Sequence, residues 1–402
     1  MRVLIDYRPA LRQRSGVGEY THQLVKALLE AFPAGSPERR LDLTLFSSSW
    51  KDRVTLADGE LAGASIVDRR VPVRLLNLAW HRLGWPPVET LTGRSFDVTH
   101  SLHPLRLPSR AAAYVVTIHD LDFLAHPERT RAEIRRDYTA LARDHAHRAD
   151  GIIVPSQFTA GEVERLLAVP SDRISVCPPG APDWAPRDRL PADGGYVLFF
   201  GTLEPRKNIG SLLDAYERLI AGPAKAGRHT SGNHASGNVP HLVLAGQATE
   251  DSRPWIDRIA RAPLRGVVRH IGYVDPSARR ELYEGARLLV QPSFEEGFGL
   301  PVLEAMTLGV PVIAANRGAL PEVLGDAGLA VDPEQPAQLA SALERMIDDE
   351  AFAAACAAKG VLRARQFRWD LTARRVYETY RMAIERRVQR TAAGPTRTRP
   401  TD

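Results

Sequence analysis

Residues 291–316 read QPSFEEGFGLPVLEAMTLGVPVIAAN, and this stretch decides the fold. It has the pattern strand, glycine loop, helix, strand. An apolar run at 287–290 leads into a loop holding Gly297 and Gly299. Pro301 falls at the start of a helix, where a missing amide costs little, and Gly309 falls where that helix would end. A second strand is expected at 311–315. Such a loop puts backbone amides and the positive end of a helix dipole at the carboxyl end of a parallel strand, where open α/β sheets bind phosphate. Two carboxylates flank that point: Glu296 in the loop and Glu304 in the first turns of the helix, where side chains tilt back toward the amino terminus. Carboxylates repel phosphate but accept hydroxyls. The combination suits a ligand with phosphate in its middle and hydroxyl-rich groups on both sides, a nucleotide sugar. The competing reading is a packed crossover whose glutamates merely complement the dipole.

The segment EGFGLPVLEAMTLGVPVIA also resembles the donor-site signature of the retaining GT-B glycosyltransferases of the large fourth family. The resemblance extends over residues 1–388. It implies an α/β, GT-B fold: two Rossmann-like domains facing each other across a cleft. It also implies transfer of a sugar from a nucleoside diphosphate to an acceptor hydroxyl with retention of anomeric configuration. Gly297, Phe298, Gly299 and Leu300 would then line the diphosphate, Glu304 would hold the ribose diol, and Glu296 would hold the transferred sugar.

Residues 196–216, YVLFFGTLEPRKNIGSLLDAY, give a second strand, loop and helix. Arg206 and Lys207 are adjacent in the loop, with Asn208 as the expected helix cap. Arginine offers a bidentate fork to phosphate and lysine a compact charge. GTLEPRKNI resembles the leaving-group site of the same family, which assigns Gly201, Arg206 and Lys207 to the departing diphosphate. IGYV resembles the segment beside the nucleotide base, which points to Tyr273 and Val274. RGALPEVLGDAG is a further match and brings Glu322 near the floor of the pocket, in a structural role or a binding one.

The chain begins with a strand, MRVLID, then a loop with Gly16 and Gly18 and a helix expected over 17–31. Thr21 stands where a dinucleotide fingerprint requires a third glycine, so a nicotinamide reading is weak. The two glycines could be only a tight turn; in the resembling family this loop faces the acceptor and the donor diphosphate. FDVTHSLHP and YVVTIHDLD are strands ending in histidines. VVTIHDL resembles the segment whose histidine reaches the donor sugar, a role that falls on His119; His100 and His103 have weaker claims, on the acceptor side. A histidine at a strand end is otherwise more often structural. Asp120 and Asp122 spell the acid pair of a metal-dependent class, but so short a pattern recurs by chance and Asp120 can serve a turn. No metal or other cofactor is expected.

The chain has 402 residues, room for two or three domains, with 44% hydrophobic and 25% charged residues, ordinary for a globular protein. The expected division is 1–177, a proline- and glycine-rich linker at 178–194, a donor-binding domain at 195–368, a helix at 369–388 returning to the first domain, and a disordered tail at 389–402. Residues 222–240 suggest a flexible surface loop. A net charge of +5 would suit an anionic substrate, a nucleic acid or an anionic membrane, but the basic residues are spread along the chain. Aromatic platforms set among cations are absent, so no nucleic-acid partner is expected. Cys177 and Cys356 form neither a disulfide framework nor a zinc spacing. With no run of about 18 apolar residues, a cytoplasmic protein is expected. Residues 69–87, RRVPVRLLNLAWHRLGWPP, are basic and apolar. They suit a helix packed on its own domain, the commoner case, or one lying on the inner face of a membrane, which would fit a lipid-linked acceptor. FDVTHS, TIHDL and GTLEPRKN most resemble bacterial mannosyltransferases of surface polysaccharides and glycolipids, which makes GDP-mannose the favoured donor and a saccharide or lipid-linked saccharide the acceptor. The enzyme alternative is a nucleotide-sugar epimerase on a similar scaffold.

Overall fold

The structure, a computed structural model, describes residues 1–11, 14, 16–33, 41–50, 53–54, 59–129, 139–191, 194–222 and 239–392. The expected surface loop at 222–240 falls almost wholly outside the described residues. Two compact units form, Met1–Gly180 with Arg368–Asp402, and Ala181–Phe367. The chain crosses between them inside the proline-rich segment read as a linker.

The first unit carries a parallel sheet of β1 (Arg2–Asp6), β2 (Asp42–Ser48), β3 (Ser65–Arg69), β4 (Val98–Ser101), β5 (Ala113–Thr117), β6 (Gly151–Val154) and β7 (Ile174–Val176). Their order is β3-β2-β1-β4-β5-β6-β7, so the sheet reverses direction between β1 and β4. Strand residues alternate between faces, as period two requires. Val3, Ile5, Val98 and Val115 meet Leu24 and Leu28 of α1 (Val17–Ala31) and Val376 and Tyr380 of α14 (Trp369–Ala392). On the other face, Tyr114, Val116 and Ile152 meet Ala146 of α5 (Thr139–Arg148) and Val163 of α6 (Gln157–Leu167). Leu4 and Phe46 of that face meet Leu76 and Trp80 of α2 (Val73–Leu83). Burying side chains of this size contributes about 1.5–3 kcal/mol each. Ser156 caps α6, its hydroxyl accepting from the Thr159 amide at 3.0 Å.

The second unit has a parallel sheet of β8 (Tyr196–Phe200), β9 (Leu242–Ala245), β10 (Val268–Gly272), β11 (Ala286–Gln291), β12 (Val312–Ala315) and β13 (Leu329–Val331). The order is β10-β9-β8-β11-β12-β13, with the reversal between β8 and β11. Leu212 and Tyr216 of α7 (Ile209–Ala221) and Leu343 of α12 (Pro336–Asp348) cover one face; Tyr283 of α9 (Pro276–Glu284) and Leu303 of α10 (Leu300–Thr307) cover the other.

Some expectations shift. The strand read in YVVTIHDLD as ending at its histidine stops at Thr117, which leaves His119 in the loop beyond the sheet. Residues 389–392, expected to begin a disordered tail, continue α14, where the Thr391 hydroxyl donates to the Arg387 carbonyl at 2.9 Å. Residues 393–402 lie outside the described residues. Both cysteines are buried and unpaired with each other. No helix among the described residues is long and apolar enough to cross a membrane.

Candidate active site

Open parallel sheets hold ligands beyond the carboxyl ends of their strands, where the strand order reverses. In the second unit that point lies between β8 and β11, whose following loops are the two motif loops. After β8 the chain makes a 3-10 turn at Pro205–Lys207 and turns through Asn208 at φ 57°. Asn208 was expected to cap α7, but its side chain makes no cap bond. Its amide donates instead to the carbonyls of Pro292 at 3.1 Å and Pro333 at 2.7 Å. The Phe294 amide donates to the Arg206 carbonyl at 2.8 Å. The two loops are therefore joined by backbone and amide bonds before any charge is considered.

The charges complete the junction. Lys207 Nζ lies 2.5 Å from Glu296 Oε1, and both residues are buried. The same oxygen accepts from Ser293 Oγ at 2.8 Å and Gln291 Nε2 at 2.9 Å. Arg206 stands 3.4 Å from Glu296 Oε2 and 2.8 Å from Glu204. Burial alone would push the Glu296 carboxyl up. The Lys207 and Arg206 charges and the bonds from Lys207 and Ser293 outweigh it, and its pKa falls to about 2. Glu296 is thus a carboxylate at neutral pH, with Oε1 crowded by three donors and Oε2 facing only the longer Arg206 contact.

Beyond Glu296 the loop turns into α10 through Gly299 at φ 112°, where an added Cβ would come within 2.7 Å of Leu320. Only glycine suits that approach and that conformation. Gly297 and Phe298 are buried in the loop and Leu300 opens the helix. Glu304, one turn along, is also buried; its oxygens accept from Arg279 at 3.0 Å and Tyr283 at 2.7 Å. Gly201 follows β8 at φ 156°, and its amide donates to Ala245 at 2.9 Å. Tyr273 and Val274 follow β10, two strands away, and are partly buried. Glu322 opens α11 (Leu320–Leu324), with its backbone carbonyl accepting from Arg363 at 2.5 Å.

In the first unit the reversal lies between β1 and β4. Asp6, the last residue of β1, is buried and takes two bonds from the Arg8 side chain, at 2.6 and 2.8 Å, a third from the Arg8 amide at 3.1 Å, and a contact from His103 at 3.2 Å. Burial opposes its ionisation, but Arg8 outweighs burial and holds the carboxyl well below its ordinary range. Gly16 precedes α1 at φ 51°, and Gly18 lies in its first turn against Pro9, where a Cβ would be 2.7 Å from the Pro9 carbonyl. His119 stands beyond β5, stacked edge-on against Tyr20 at 4.8 Å, and its Nε2 donates to the Leu102 carbonyl at 3.1 Å. Burial lowers its pKa to about 4 against the opposing pull of Asp120 and that carbonyl. It is a neutral imidazole whose Nδ1 is the accepting nitrogen. His100 does not fit the acceptor role read for it. It is fully buried, with Nδ1 on the Tyr380 hydroxyl at 2.7 Å and Nε2 on Thr117 at 2.8 Å, which makes it a structural link between α14 and the sheet.

Gln291, Ser293, Arg279, Tyr283, Asp6 and Arg8 were not singled out in the sequence. Only Gln291 and Ser293 left a signal there, as polar residues closing an apolar strand just ahead of the glutamates.

Two parallel-sheet Rossmann-like units, the second with cations and helix amides at its reversal point, define an α/β protein of the GT-B kind. The family model "Glycosyl transferases group 1" matches residues 182–362, and "Glycosyltransferase Family 4" matches residues 14–183. O-antigen chain mannosyltransferase B of Escherichia coli is 30% identical over 401 residues, covering 95% of this chain and 100% of that protein. The serotype-specific mannosyltransferase WbdA of E. coli is 29% identical over 64% of this chain and 32% of its own length. Among solved structures, sucrose-phosphate synthase from Thermosynechococcus elongatus superposes with a TM-score of 0.72 at 20% identity, covering 98% of this chain and 99% of that one. Anabaena HepE in complex with UDP and glucose gives 0.63 at 18%, covering 98% and 100%. The chain belongs to the group 1, family 4 glycosyltransferases.

Removing one partner of a buried ion pair costs about 3–5 kcal/mol, because the other charge is stranded. Lys207→Met should therefore lower hydrogen-exchange protection in β8 and β11 sharply, and Lys207→Met with Glu296→Gln should lose much less than the two single effects added. Glu296 is depressed from 4.5 to about 2, so the stability it contributes is present above pH 4.5 and lost as pH falls toward 2. The deficit of Glu296→Gln against wild type should narrow over that window. Additive effects with no such narrowing would contradict the pairing.

Proposed function

We propose that this glycosyltransferase moves mannose from GDP-mannose to a hydroxyl of a saccharide or lipid-linked saccharide acceptor, with retention and without a metal. The observation that carries the donor reading is the adjacent pair Arg206 and Lys207, bonded to the glycine loop ahead of α10 at the reversal point of the second sheet. Cations and amides fixed before reaction stabilise charge as it develops on a leaving diphosphate, with no reorganisation. Glu304, anchored from α9, is the ribose acceptor. Glu296 Oε2 is the sugar-binding group of the second unit, and His119 is the candidate that the first unit offers. The departing phosphate accepts the proton of the attacking hydroxyl on the same face, so no enzyme nucleophile is needed. Mannose is supported by the names of two relatives, both mannosyltransferases.

Thermal shift with GDP, UDP, ADP and dTDP tests the donor. GDP should give the largest rise, since a ligand at 100 times its Kd adds about 2.7 kcal/mol. Arg206→Ala and Lys207→Ala should each lower turnover about a hundredfold or more, the scale for a lost transition-state donor. Transfer should survive excess EDTA. No response to any nucleotide would end the donor reading, and loss of transfer in EDTA restored by manganese would end the metal-free one.

We also propose peripheral contact with an anionic membrane through α2. Leu76 and Trp80 of that helix face the core, but Leu75, Leu78, Leu83 and nearby Trp85 are exposed, Leu83 by 74% and Trp85 by 62%. Arg69, Arg70, Arg74 and Arg82 are exposed around them. Apolar area rimmed by cations is the pattern of a helix lying in a lipid interface. Leu75→Glu with Leu78→Glu should abolish sedimentation with phosphatidylglycerol vesicles while preserving transfer to a water-soluble acceptor. Equal sedimentation of the variant and wild type would exclude α2 as the contact.

A further inference from the structure

A cavity of about 200 Å³ opens in the first unit, its lining including Thr99, Ser109, Tyr114, Arg106, Arg148, Arg387 and Arg390. It lies at the wrong end of the sheet for the transferase chemistry. Thr99 and Tyr114 are the second residues of β4 and β5, and Arg148 ends α5, three residues ahead of the first residue of β6, so the cavity sits toward the amino ends of these strands. His103, His119 and the Gly16 loop belong to the carboxyl ends.

Four arginines converge on it from three separate pieces of chain: the loop after β4, the end of α5 and the end of α14. Two are matched by carboxylates. Arg148 pairs with Asp144 at 2.8 Å, and Arg390 pairs with Asp150 at 2.9 Å. Asp150 is further committed to the Tyr114 amide at 2.9 Å. Glu89, the acid beyond Ser109, is turned onto the Ser109 hydroxyl and the Arg110 amide. Arg106 and Arg387 have no carboxylate partner among the described residues, and both are partly buried. Burial, with Arg148 and Arg387 nearby, disfavours the charged form of Arg106. Half-buried guanidiniums facing one another without an acid are unfavourable unless an anion joins them, and planar forks beside hydroxyls match phosphoryl oxygens. The volume equals that of about seven waters at ~30 Å³ each. It is below the roughly 300–1,000 Å³ of pockets for drug-sized ligands, so it suits one phosphate or diphosphate group rather than a whole nucleotide sugar.

We propose that this arginine cavity is a second anion site, which takes a phosphate or diphosphate group, free or carried on a lipid headgroup, independently of the donor site. The inference does not rest on the identity of the donor.

The test uses the full chain with Arg206→Ala and Lys207→Ala as parent, so that the donor loop contributes little to diphosphate binding. Inorganic pyrophosphate is titrated calorimetrically into the parent and into the same chain carrying Arg106→Gln or Arg387→Gln. Each added change should weaken binding about tenfold or more, the scale of one lost charge-assisted bond. Sedimentation with phosphatidylglycerol and phosphatidylcholine vesicles forms the second arm. If the arginine variants also lose phosphatidylglycerol binding, and pyrophosphate competes with it, the source is a lipid headgroup. If only pyrophosphate binding falls, the source is a soluble phosphate compound. Arg387 lies on a helix surface, so Arg387→Gln decides the matter should Arg106→Gln fail to fold. Variants that melt with the parent and change neither pyrophosphate affinity nor vesicle binding by more than about twofold would overturn the proposal.

Discussion

The buried contact between Lys207 and Glu296 is the constraint on which the second unit of this glycosyltransferase depends. Neither charge is stable alone in that position, since an isolated buried ion costs several kcal/mol. Each is tolerated because the other is 2.5 Å away and because Ser293 and Gln291 fill the remaining directions on Oε1. The pair is separated by about 90 residues of chain, so its formation requires the loops after β8 and β11 to be correctly placed. The Asn208 amide and the Phe294–Arg206 backbone bond place them.

The two units share a design at their reversal points. In the first, Asp6 at the end of β1 is buried under Arg8 with His103 alongside. In the second, Glu296 is buried under Lys207 with Arg206 alongside. In both, a carboxylate held ionised by a neighbouring Arg or Lys fixes a loop beyond the sheet, and the sheet supplies rigidity. A network of this kind positions cations accurately for a polyanionic ligand, whereas solvated lysines on a surface would be disordered.

Much of this was legible in the sequence because it is local. The helix at 17–31 follows from apolar spacing, and the strand, glycine loop and helix after residue 286 follow from Gly297, Gly299 and Pro301. What was not legible depends on partners distant in sequence. Asn208 looked like a helix cap because its local position allows it; in the folded chain the carbonyls of Pro292 and Pro333 compete for its amide and win. His100 looked like a site residue because it ends a strand, but Tyr380, 280 residues later, fills one of its nitrogens. Arg279 and Tyr283 belong to an ordinary amphipathic helix until Glu304 is seen between them and the sheet. The arginine cavity is drawn from three distant segments, and no single stretch announces it.

If Glu296 meets the transferred sugar, as proposed, its carboxylate serves transfer and not nucleotide binding. The most direct measurement is a side-by-side comparison of Glu296→Gln with wild type: sugar transfer under single-turnover conditions, and calorimetric affinity for the nucleoside diphosphate that stabilises wild type most. That role predicts that transfer falls about a hundredfold while nucleotide affinity stays within about threefold. Parallel loss of both, or transfer at the wild-type rate, would contradict it.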